Sequence, residues 1–157
     1  MSNKAAHSRS LHTGRYSEPG RIYFVTSTCF NRQKHFSNPS NAQILSDEFD
    51  QLGHLSLAYV VMPDHFHWLI RLDCGTKLHE AIGKLKGRSA RRINLDRLTQ
   101  ARVWQSGFHD HAVRVEEDLE NLANYLIQNP LRAGLVSDVE DYPFWGSVWH
   151  QRESCRG

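Results

Sequence analysis

His65 and His67 are separated by a single residue, and a strand that carries them so sends both imidazoles to one face, with Phe66 and Trp68 turned to the other. Two neutral imidazoles on one face can share a divalent metal and leave its remaining positions to a third protein group, water and phosphate oxygens. Open positions are what a catalytic metal needs. The same spacing also fits a strand whose polar face simply uses histidine, so the pair needs partners from elsewhere. A metal-free phosphate transfer would want a further histidine at alternate spacing, and Leu69 holds that place.

Tyr125 stands near the end of a helical stretch, Asn121-Leu122-Ala123-Asn124-Tyr125-Leu126-Ile127-Gln128-Asn129-Pro130. A phenol can attack phosphorus when a nearby cation stabilises the developing charge, and the phosphotyrosine formed keeps the bond energy that hydrolysis would lose. Asn129, four residues on, shares the helical face, so its side-chain carbonyl can complete a metal site beside such a nucleophile. Gln128, at i+3, is less well placed. Read from the helix alone, Tyr125 is a core tyrosine with its hydroxyl at the rim.

These residues need a scaffold, and the 157-residue chain is of a size for one domain. Residues 1–20, rich in Ser, Gly, Pro and Arg, read as a flexible basic arm ending at Pro19-Gly20, and 21–157 as one domain that includes an aromatic C-terminal tail. Hydrophobic residues make up 39%, and no apolar run approaches the ~20 residues that span a bilayer, which leads us to expect a soluble, cytoplasmic protein without a membrane partner. Cys29, Cys74 and Cys155 are odd in number and form no CxxC pair, against a disulfide framework or a cysteine zinc site. Net charge is only +2, but it is uneven: residues 1–35 hold six bases against one acid and 77–102 eight against two. Such blocks either form solvated faces or gather to attract a phosphate backbone.

Ile22 to Phe30 is β-branched and aromatic without a breaker, a buried strand. Ala42, Ile44, Leu45, Phe49 and Leu52 recur at helical spacing over 41–52, with Pro39 and Ser40 at the start. Leu55–Met62 and His65–Leu72 flank Pro63-Asp64 as a hairpin. Lys77–Leu98 is a basic amphipathic helix that Gly83 and Gly87 would loosen. Phe108–Val115 alternates as a fourth strand, and Glu116–Gln128 forms a third helix limited by Pro130. This order predicts an α+β, ferredoxin-like split βαβ fold, a four-stranded antiparallel sheet with helices packed on one face.

Val61-Met62-Pro63-Asp64-His65-Phe66-His67-Trp68-Leu69-Ile70, the stretch Trp104–Arg114 and the stretch Tyr125–Val136 together resemble the REP-associated tyrosine transposases, a branch of the HUH single-strand nucleases. The likeness runs from about Gly20 to Trp149, with the three motifs in the family's order. It implies a ferredoxin-like fold, His65 and His67 as metal ligands, Tyr125 as the single catalytic tyrosine and Asn129 as a further metal contact. It also implies Mg²⁺ or Mn²⁺ polarising the scissile phosphate while Tyr125 attacks, with a 5′-phosphotyrosine and a free 3′-hydroxyl as products. The DNA partner implied is a hairpin-forming single strand with a short flanking recognition sequence. Arg15, Arg21 and Arg32, with Lys84, Lys86, Arg88, Arg91 and Arg92 of the basic helix, would then meet backbone phosphates, and Tyr16, Phe36 and Trp104 are candidates for base stacking. His111 and Arg114 read first as structural. Monomer and homodimer both remain open, as does a host-adopted hairpin-binding protein with little or no cleavage; a small-substrate phosphoesterase fits the basic blocks less well.

Overall fold

The structure, a computed structural model, describes residues 20–114 and 118–150, apart from the side chain of His54. The expected N-terminal arm, with Arg15 and Tyr16, and the last residues with Cys155 lie outside the described residues. The split βαβ order is observed: β1 (Ile22–Thr28), α1 (Pro39–Gln51), β2 (Ser56–Met62), β3 (His65–Arg71), α2 (Leu78–Arg97) and β4 (His109–Ala112). α3 (Leu119–Ile127), α4 (Asn129–Arg132) and β5 (Trp145–Ser147) follow. The sheet runs β4-β1-β3-β2-β5 with every neighbouring pair antiparallel.

Local signals explain the helices. Asn38 accepts from the backbone N–H groups of Ser40 and Asn41 at 2.8 and 3.3 Å, with Pro39 opening α1 where a missing donor costs nothing. α2 runs unbroken through Gly83 and Gly87, because its buried stripe of Leu78, Ile82, Leu85 and Ile93 outweighs about 1 kcal/mol of lost propensity per glycine. It stops at Leu98, whose φ of +57° leaves the helical region. Asp118 caps α3 by accepting from Glu120 and Asn121. No described helix is long and apolar enough to cross a membrane.

The expected fold class holds, and two particulars differ. The sheet has five strands, because Trp145–Ser147 adds to the outer edge of β2 through Ala58↔Ser147 and Val60↔Trp145. Three residues are too few to show a period. Gly146 is obligatory there: a Cβ would stand 2.7 Å from a ring carbon of Tyr59. Second, the helices cover both faces. α1 and α2 pack on Tyr23, Val25, Val61, Phe66, Trp68 and Ile70, whereas Ala123, Leu126 and Ile127 of α3 pack on Val60, Met62 and Leu69. The reason lies in β2, buried at six of its seven positions, which needs an apolar cover on each side.

α1 and α2 are joined by Glu48, which is 3% exposed and accepts from Arg88 Nε and Arg92 Nη1, each at 2.8 Å. Burial pushes this carboxyl up, but the hydrogen bonds and charges of Arg92 and Arg88 outweigh it and hold it below the ordinary glutamate range. A depressed folded-state pKa contributes stability above the unfolded value, lost as pH falls through the folded one. Glu48→Gln should therefore lower stability at pH 7 by about 1–3 kcal/mol. It should also flatten the fall of Tm below about pH 4.5, read by thermal denaturation across pH. An equally steep acid limb in the variant would refute the assignment.

Candidate functional site

Pairing places the two histidines. Thr26 lies opposite His67 and Thr28 opposite His65 across the β1–β3 ladder, so both imidazoles rise from the sheet face that α3 covers. Their ring centres are 4.9 Å apart at an interplanar angle of 77°. Two imidazoles sharing an ion through nitrogens ~2.1 Å away, at angles near 90–110°, have ring centres roughly 4.6–5.3 Å apart, so the observed spacing is compatible with a common metal. Each ring is also oriented from behind: His65 Nδ1 lies 2.7 Å from Asp64 Oδ1, and His67 Nδ1 lies 2.8 Å from Thr26 Oγ1. A carboxylate only accepts, so His65 Nδ1 carries the proton and its Nε2 is left with a free lone pair. A protonated His67 Nδ1 donating to Thr26 leaves the same atom free there.

Burial, then the charges of His65 and Arg132, push His67 down to about 4, so its imidazole is neutral at physiological pH and would take a metal without losing a proton. Asp64 is itself held by Arg32, 3.1 Å away. Burial raises its carboxyl, but the His65 hydrogen bond and the charges of His65 and Arg32 win and keep it ionised. Asp64→Ala should weaken Mn²⁺ binding about 10–100-fold with the fold intact, measured by calorimetry. Unchanged affinity would show that Asp64 does not orient the ligand.

Tyr125 faces away from the core side of α3 and is 60% exposed. Its phenol is therefore available, and the core-tyrosine reading fails. The single helix expected through Gln128 ends at Ile127: Gln128 caps it with ψ near 3°, and Pro130, which cannot donate, sits in the new turn of α4. Asn129 thus opens a second helix rather than continuing the first. Its Nδ2 donates to Leu126 O at 2.8 Å, which leaves Oδ1 without a protein donor among the described residues. Among those residues no three His, Cys, Asp or Glu side chains form a metal cage. A metal here would take His65, His67 and a neutral oxygen such as Asn129 Oδ1, a donor set with room for phosphate.

Arg132 is the residue that sequence reasoning missed. It folds back across the break so that Nη2 donates to Tyr125 O at 2.8 Å and the guanidinium carbon stands 3.8 Å from the centre of the Tyr125 ring. Its charge also reaches His67. The structure therefore gathers His65, His67, Tyr125, Asn129 and Arg132 on one side of the sheet.

The expected phosphate contacts divide differently. Arg21 is exposed before β1, and Arg32 reaches the site through Asp64. α2, however, lies on the opposite face from the histidines. Arg88 and Arg92 hold Glu48, and Lys86 donates to the carbonyls of Gln105 and Gly107 at 2.9 and 2.8 Å. Burial and the Arg102 charge pull Lys86 down to about 8. Lys84 and Arg91 are exposed. Phe36 and Trp104 are buried in the core and so closed to bases, whereas His111 is exposed and stacks on Phe24 at 5.6 Å. β4 ends at Ala112, so Arg114 lies beyond it and is exposed.

The family model described as Transposase IS200 like matches residues 22–129. A REP-associated tyrosine transposase of Escherichia coli is 27% identical over 154 residues, covering 91% of this chain and 84% of that protein. A relative from Haemophilus influenzae is 26% identical over 138 residues, 80% of this chain and 78% of its own. Among solved structures, a REP-associated tyrosine transposase bound to a REP hairpin superposes with a TM-score of 0.68 at 25% identity, covering 83% of this chain and 79% of that one.

Proposed function

This chain belongs to the IS200-like transposase family, and from that premise we propose that it cuts and rejoins hairpin-forming single-stranded DNA through a covalent link to Tyr125. The observation that carries this reading is the exposed phenol of Tyr125 on the same side of the sheet as two imidazoles oriented from behind. Mg²⁺ or Mn²⁺ held by His65, His67 and Asn129 would supply Lewis-acid polarisation of the scissile phosphate. Asp64 and Thr26 keep both Nε2 atoms presented, and the neutral state of His67 spares the site a proton release near neutral pH.

The chemistry balances without another reactant. The Tyr125 oxygen bonds to phosphorus, the bond from phosphorus to O3′ breaks, and the phenolic proton is matched by the one the leaving 3′-hydroxyl gains. Attack by another 3′-hydroxyl reverses the sequence and joins new ends. The hairpin is carried over from the relative's complex, and a short single-stranded flank beside it would bring the scissile phosphate to the tyrosine. The test incubates the protein with a hairpin bearing such a flank, with and without Mn²⁺, and resolves covalent adducts on a denaturing gel. A metal-dependent adduct supports the proposal; tight hairpin binding without one would favour a binding protein.

A further inference from the structure

We propose that Arg132 is a further catalytic residue, its guanidinium gripping a non-bridging oxygen of the scissile phosphate as Tyr125 attacks. This rests on the reading of Tyr125 as nucleophile. The guanidinium is held by the nucleophile's own residue, through Nη2 to Tyr125 O at 2.8 Å and through the ring face at 3.8 Å. Arg32, Arg88 and Arg92 are all bound to carboxylates, whereas Arg132 pairs with none among the described residues. It is exposed. Guanidinium has five N–H donors in a planar fork, and one bond to a carbonyl leaves enough to take a phosphate oxygen in bidentate fashion.

The break in the helix makes this placement. Arg132 N donates to Gln128 O at 3.0 Å, and Asn129 opens α4, so the chain turns back and the side chain seven positions on reaches the Tyr125 ring. In the step itself the Tyr125 oxygen joins phosphorus and O3′ departs with a proton, while Arg132 keeps its charge throughout. A fixed cation beside the phosphorus stabilises the charge that builds on the equatorial oxygens, without reorganisation at the moment of reaction. Because the guanidinium is tied to the Tyr125 backbone, phenol and cation are delivered as one unit.

Single-turnover adduct formation on the flanked hairpin tests this with Arg132→Ala and Arg132→Lys, alongside hairpin affinity and melting temperature. Arg132→Ala should be slower by about 10²–10³-fold with affinity within a few-fold, and Arg132→Lys should fall between. Free guanidinium at tens of millimolar should restore Arg132→Ala by ~10-fold or more and do nothing for Tyr125→Phe. A variant as fast as the wild type would overturn the proposal. So would slowing without rescue by guanidinium, which marks a purely structural role. No adduct from the wild type would instead remove the reading of Tyr125 on which it rests.

Discussion

Tyr125→Phe is expected to reduce adduct formation by roughly 10⁴-fold or more while hairpin affinity stays within about twofold. The substitution removes one oxygen from a side chain that is 60% exposed, so no buried hydrogen bond is lost and the fold should be unaffected. Among the described residues, Tyr125 alone of the tyrosines is exposed. Tyr59 donates to Asp50 Oδ1 and Tyr142 to Val61 O, and burial pushes Tyr142 up to about 12 and Tyr59 higher still. Both are therefore poor nucleophiles and are already bonded inside the protein. The aromatic ring under Arg132 survives in phenylalanine, which separates loss of the oxygen from loss of the cation's seat.

The second large effect is at His67. His67→Ala should lower metal-dependent cleavage by about 10³-fold and Mn²⁺ affinity by about 10²-fold, with hairpin binding in chelator unchanged. Since burial and neighbouring charge keep His67 at about 4, its protonation adds no acid limb to cleavage above about pH 5. Chelation should abolish wild-type cleavage and change the variant little further. The variant also leaves Thr26 Oγ1 without its partner, so a melting curve must accompany the assay. A variant that melts as the wild type does and still binds Mn²⁺ tightly would remove His67 from the metal site.

Much of the fold could be read from residue patterns. Ile22–Thr28 and the Pro63-Asp64 hairpin carry β-branched runs around an unambiguous turn, and the buried stripe of α2 is continuous enough to override two glycines. The side on which α3 packs does not follow from the element order, although β2 is apolar toward both faces, because one-face cover is the commoner outcome of a split βαβ order. That side decides the site: only with α3 opposite α1 and α2 does Tyr125 share a face with His65 and His67. A run of cations likewise reads the same whether it meets phosphate or a carboxylate, and nothing in residues 84–92 announces that Glu48 is buried 40 positions away. Arg132 was invisible because helical spacing from Tyr125 has no meaning across the break at Gln128.

The proposed reaction leaves Tyr125 covalently attached to DNA, and mapping that adduct is its decisive test. Wild-type protein trapped on a flanked hairpin with Mn²⁺ would be digested with protease and nuclease and sequenced by mass spectrometry. The expected product is a nucleotide joined through its 5′-phosphate to Tyr125 in the peptide that contains Asn121–Gln128, together with a free 3′-hydroxyl on the released strand. Attachment at any other residue, or cleaved DNA with no peptide attached, would contradict it.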